Sequence, residues 1–123
     1  MLIRIDSESP RAIFEQIAAS VRADVVAGSL RPGDRLPPAR EVAAGLAVNV
    51  HTVLRAYQQL RDEGIVDLRR GRGAVVAASA DALAELRDDL RALLIRAEGL
   101  GVPSGALAAL IQEPALRGGL HDR

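Results

Sequence analysis

Residues able to do chemistry are few in this chain, and they lean toward one kind of partner. All sixteen basic side chains are arginine, and Arg69, Arg70 and Arg72 crowd one short run with Gly71 and Gly73. A guanidinium presents a planar fork of donors that suits a phosphate or a guanine edge. Glycines let a backbone approach either one closely. Asn49, Val50, His51 and Thr52 form a second cluster, with Arg55 one helical turn beyond His51. Other chemistries lack their residues. With no cysteine and only two histidines, His51 and His121, disulfides, thiolate sites and cysteine nucleophiles are excluded, and a histidine-rich metal centre is not expected. Gly71-x-Gly73 lacks the further glycine and the helix of a nucleotide loop, and neither a serine elbow nor an HExxH pattern occurs. Asp88-Asp89 reads as a solvated pair on a helix surface. The chain is expected to be no enzyme and to need no cofactor.

Net charge is zero over 123 residues, but its distribution is uneven. Residues 1–78 hold eleven Arg against nine acids, and residues 79–123 hold five against seven. Within 35–78 the balance is seven Arg to four acids, a weak positive region that permits nucleic-acid binding without requiring it. No apolar run approaches the roughly 20 residues that span a bilayer, and the start MLIRIDSESP has no apolar signal core. A cytoplasmic protein with no membrane partner is expected.

The elements that must position these residues follow from periodicity. Leu2-Ile3-Arg4-Ile5 alternates as a short strand or extended arm. Ser9-Pro10 predicts a helix start, and Phe14, Ile17, Val21 and Val25 give one apolar stripe over 10–27, which Gly28 stops. Pro32-Gly33 makes a turn from which Leu30 and Leu36 reach a core. A short helix is predicted over 39–46. A second runs over about 49–63, capped by Asn49, burying Val53, Ala56, Tyr57 and Leu60 and ending at Gly64. Two strand-like runs, 65–68 and 74–77, flank the glycine–arginine tip 69–73.

Helix, short helix, tight turn, second helix and hairpin form the outline of a winged helix-turn-helix. In such an outline the second helix enters the major groove, and residues near its start reach base edges first: Asn49, Val50, His51 and Thr52. The hairpin tip is placed to meet phosphates or the minor groove. Competing roles stand beside these. Asn49 can serve as a helix cap alone, Thr52 can bond the local backbone, and Arg55 can pair with a carboxylate on its own or a neighbouring helix. A winged helix that binds protein, or an architectural or partition DNA-binding module without promoter control, is the alternative reading of the whole.

The residues also carry a resemblance. Phe14-Glu15-Gln16-Ile17, the run Gly28 to Ala43 with its Leu36-Pro37-Pro38-Ala39-Arg40 element, Val48 to Val53, Ala56-Tyr57, Leu60, Glu63-Gly64 and Arg70 to Gly73 resemble the DNA-binding domain of GntR-family transcription regulators. The Pro-Pro before Ala39-Arg40, the Asn-x-x-Thr-Val and the Ala-Tyr are most similar to the YtrA subfamily. The resemblance implies a sequence-specific regulator, expected to repress. It implies that Arg40 contacts a base or phosphate, that Asn49, Val50, His51 and Thr52 contact the operator, and that Arg70, Arg72 and Gly73 lie along the minor groove. Val50 departs from the polar residue frequent there; it cannot hydrogen-bond a base but can pack on a thymine methyl. Ala74 replaces a more usual threonine.

Residues 79–123 then form the second part. Leu83, Leu86, Leu90, Leu93 and Ala97, with Leu94 and Ile95, stripe a predicted helix over 81–98. Gly99 to Pro103 breaks it, and a helix over 104–112 presents Leu107, Leu110 and Ile111. A helical hairpin of this size cannot bury both apolar faces itself. Packing on a twin covers them, or the hairpin covers its own winged domain. The resemblance favours the twin, and a two-fold dimer matches a palindromic operator. Some 45 residues cannot enclose a pocket of about 300 Å³, so any small effector would bind between subunits. The expected fold is thus mainly α with a small β-hairpin: a winged helix-turn-helix over 1–78 and a two-helix dimerisation hairpin over 79–123. Fraying is expected from Pro114, with no role for His121.

Overall fold

The computed structural model describes residues 2–121. Its elements are α1 Ile13–Val26, α2 Ala39–Leu46, α3 Val50–Asp62, β1 Val66–Arg69, β2 Gly73–Val76, α4 Ala80–Glu85, α5 Arg87–Gly99, α6 Ser104–Gln112 and α7 Pro114–His121. The chain divides into two compact units between Glu85 and Leu86.

In the first unit α1, α2 and α3 pack around Ile17, Val21, Val25, Val42, Val53, Ala56 and Leu60. Ile17, Val21, Val53 and Leu60 are fully buried, and each contributes about 1.5–3 kcal/mol of apolar burial. α1 starts at Ile13 rather than at Pro10, where the sequence predicts it. The cause is a polar clamp. The buried Gln16 side chain accepts from the Asp6 N–H at 2.6 Å and donates to the carbonyls of Asp6 and Arg11 at 3.1 and 3.0 Å. Those bonds hold residues 6–11 in a turn, in which Ser9 Oγ accepts from the Arg11 N–H, and they lay Ile3 of the arm into the core. At the other end the N–H groups of Ser29 and Leu30 both donate back to the Asp24 carbonyl, with Gly28 at φ +82°. That left-handed residue is why a glycine stands there.

The hairpin pairs Val66 with Val76 and Arg69 with Gly73, antiparallel. A third segment, which the sequence presents only as a turn, lies on the far edge of β2. Gly33 N–H donates to Val76 O, Val76 N–H to Asp34 O and Leu36 N–H to Ala74 O, at 2.8–2.9 Å, with Arg35 bridged to Val75. The chain before α2 is thereby stitched to the wing.

Two boundaries differ from expectation. The helix predicted over 81–98 is interrupted at Leu86, giving α4 and α5. Ala80 is buried and Leu83 half-buried against the first unit's core, so α4 belongs there and the division falls after Glu85 rather than after Ala78. In the second unit α5 turns into α6 through Gly101 at φ +76°, and Val102 N–H donates to Ala97 O at 2.8 Å. Residues 114–121, expected to fray, are helical; proline suits a first helical turn. No described helix is long and apolar enough to cross a membrane.

Candidate nucleic-acid interface

The turn between α2 and α3 is set by Ala47, which ends α2 at φ 57° and ψ 44°. Among the described residues it is the one non-glycine with positive φ, a conformation that costs an L-residue roughly 1–2 kcal/mol. Val48 N–H then closes back onto Ala43 O at 3.0 Å. Asn49 caps α3, its Oδ1 accepting from the His51 N–H at 2.8 Å. One of its two readings is thus occupied in the folded chain: the acceptor oxygen is engaged and the amide donor remains. The Tyr57 hydroxyl donates to Pro37 O at 2.6 Å, which ties α3 to the residues that lead into α2 and Arg40.

Val53, Ala56, Tyr57 and Leu60 are buried, as the periodicity predicts. At 100° per residue the opposite face of α3 centres on His51, Arg55 and Gln58, all exposed. Thr52 is half-buried. Two residues differ from the sequence reading. Val50, expected to point outward, is half-buried against the core; it precedes Val53 by three and Tyr57 by seven, so it shares their face. That spacing was a usable signal. Leu54, which the sequence reading left out, is 39% exposed on the edge of α3 that faces the wing. Arg55 pairs with no carboxylate among the described residues. Its guanidinium carbon instead lies 3.8 Å from the centroid of the Phe14 ring on α1, an attraction of roughly 0.5–1 kcal/mol at an exposed site.

The wing tip turns through Gly71 and Gly73, at φ +80° and +72°, with Arg72 N–H donating to Arg69 O. Arg35 Nε donates to Arg72 O at 3.3 Å, a brace from the third segment to the tip. Between wing and α3 runs a cleft of about 850 Å³, floored by Leu36, Leu54 and Leu68 and rimmed by Arg35, Arg69, Arg70 and Arg72.

Charge pairing separates the arginines. Arg22 makes a forked bond to Glu63, at 2.6–2.7 Å. That bond, ahead of burial, holds the Glu63 carboxyl below its ordinary range and the Arg22 guanidinium above its own. Arg31 pairs with Asp81, Arg61 with Asp62 and Arg69 with Asp67. Among the described residues Arg4, Arg35, Arg40, Arg55, Arg70, Arg72, Arg91 and Arg96 have no carboxylate partner within 4.0 Å, Arg40 not even its neighbour Glu41. All are exposed, and Arg40, Arg55, Arg70 and Arg72 stand on α2, α3 and the wing. No three His, Asp or Glu side chains of the described residues gather as a metal site.

In the second unit Leu86, Leu90, Leu93, Leu94, Leu110 and Ile111 are exposed, at 40–53%, and Leu107 is half-buried. Two members of the predicted dimer stripe fall elsewhere. Leu83 packs against the first unit's core, and Ala97 is 5% exposed at the turn from α5 to α6.

Residues 13–76 match the family model described as "Bacterial regulatory proteins, gntR family". Over 118 residues, 91% of each chain, the sequence is 34% identical to the HTH-type transcriptional repressor YtrA of Bacillus subtilis. Among solved structures it is similar to YtrA from Sulfolobus acidocaldarius, a GntR-family transcription factor, at 38% identity and a TM-score of 0.60 over 80% of this chain and 99% of that one. A GntR family transcriptional regulator from Listeria monocytogenes aligns at 27% identity and a TM-score of 0.60, over 88% and 97% of the two chains.

Proposed function

This chain belongs to the GntR family of regulatory proteins, and from that premise we propose that it represses transcription as a homodimer on a palindromic operator. The family and fold are those of DNA-binding transcriptional regulators, not enzymes. The finer reading places α3 in the major groove, with His51, Thr52 and the free amide donor of Asn49 near base edges. Arg40 stands at the start of α2 and adds a contact to a base or phosphate, and Arg70, Arg72 and Gly73 follow the minor groove or its phosphates.

One observation carries this reading: Arg40, Arg55, Arg70 and Arg72 are exposed without carboxylate partners on α2, α3 and the wing, where a cluster of free guanidiniums faces solvent. Arg4 on the arm and Arg91 and Arg96 on α5 are also unpaired among the described residues. An unpaired exposed cation is ready to displace counterions from a phosphate backbone. The twin is supported by the leucines left uncovered on α5 and α6, and its two recognition helices would address half-sites about 34 Å apart. A dimer seated on a promoter excludes polymerase; nothing further is needed for repression. Any small effector would lie between subunits.

The test is a gel shift with DNA from upstream of the chain's own gene, across a salt series, with sedimentation in parallel. Expected are a selective complex that weakens steeply with salt and a dimer that Leu86→Glu with Leu90→Glu converts to a weakly binding monomer. Arg40→Ala should lose about 1–3 kcal/mol of specific binding with the dimer intact. A chain indifferent to duplex DNA at low salt is instead a protein-interaction winged helix.

A further inference from the structure

We propose that Leu54 reads a thymine 5-methyl group in the operator, a deeper specification of the interface that rests on α3 lying in the major groove. The sequence offers Val50 for that contact, but Val50 is half-buried against the protein's own core. One turn later Leu54 leaves 39% of its surface to solvent on the exposed side of the same helix. It forms part of the apolar floor of the cleft between α3 and the wing, with Leu68, 41% exposed, on the wing side. The rim is cationic, with Arg70 and Arg72 unpaired. An apolar floor under a guanidinium rim complements a polyanion that carries an apolar group. In duplex DNA the major groove presents one such group, the thymine methyl. Leucine cannot hydrogen-bond, so at this point of the helix methyl contact is the base recognition open to it.

The experiment begins with a duplex selected by the protein from a randomised pool. Its thymines are replaced by deoxyuridine, first all together and then singly, which removes the methyl and leaves base pairing. The wild-type chain should lose about fourfold in affinity for each contacted methyl, at one position per half-site. Leu54→Ala should bind thymine and uracil versions equally, while Val50→Ala should keep the wild-type penalty. Equal wild-type affinity for the two duplexes overturns the proposal, and so does a penalty that survives in Leu54→Ala. Failure of the underlying reading looks different: no salt-sensitive, sequence-selective duplex emerges from the pool, and the proposal falls with it.

Discussion

Removing one hydroxyl, by Tyr57→Phe, isolates a single titration in the whole molecule. The chain has one tyrosine, no cysteine and no lysine, so between about pH 9 and pH 12 no other side chain has its ordinary pKa. Tyr57 is 4% exposed, and burial pushes its phenol up to about 12. In the unfolded chain the phenol ionises near pH 10. Below that value both states hold the proton, and stability does not depend on it. Above it the unfolded state releases the proton first and binds fewer protons than the native state, so stability falls as pH rises. Two pH units correspond to about 2.7 kcal/mol, an upper figure because the native state relaxes. At neutral pH the substitution removes the bond to the Pro37 carbonyl and costs about 1 kcal/mol, equivalent to roughly 4–8 °C in Tm for a unit of this size. Urea unfolding followed by circular dichroism, in steps from pH 7 to pH 12, measures both effects. The wild type should lose stability from pH 10 upward. Tyr57→Phe should begin lower and stay flat. Parallel decline of the two proteins, or a wild type without any slope, would refute the assignment.

Other outcomes follow from contacts of the first unit. Gln16→Ala removes three bonds to residues 6 and 11 and should destabilise by about 1–3 kcal/mol, with early loss of hydrogen-exchange protection at Asp6. Phe14→Leu keeps the apolar stripe but removes the ring beneath Arg55; a double-mutant cycle with Arg55→Ala should return a coupling of about 0.5–1 kcal/mol. Glu63, held low chiefly by its bond from Arg22, contributes stability above its unfolded pKa that is lost as pH falls through the folded one. Because both partners are partly exposed, that contribution is at most about 1 kcal/mol, and an acid titration of Glu63→Gln should lack it.

Legibility in the sequence follows the range of the interaction. The buried face of α3 is written in its own spacing, and Asn49 and Gly28 mark helix ends by local backbone chemistry, so these were readable. The Gln16 clamp joins residues ten apart through polar groups that leave no periodic trace. The third segment on β2 is made of backbone bonds, to which side-chain patterns are blind. Periodicity along 81–98 shows which residues are apolar together but not which neighbour covers them. It therefore does not separate Leu83, packed on the first unit's core, or Ala97, buried at the turn from α5 to α6, from the exposed leucines. The unpaired state of Arg40 and the stacking of Arg55 depend on where carboxylates and rings of other helices fall, which spacing alone does not encode.

Residues 33–37 join the wing, α3 and α2. They zip onto β2, brace the tip through Arg35, receive the Tyr57 hydroxyl at Pro37 and run directly into α2. The reading head is accordingly a casting rather than a set of jointed fingers. Flap and helix pair share this spine, so a shift of one against the other would have to break its backbone bonds to β2 or the bond from Tyr57 to Pro37.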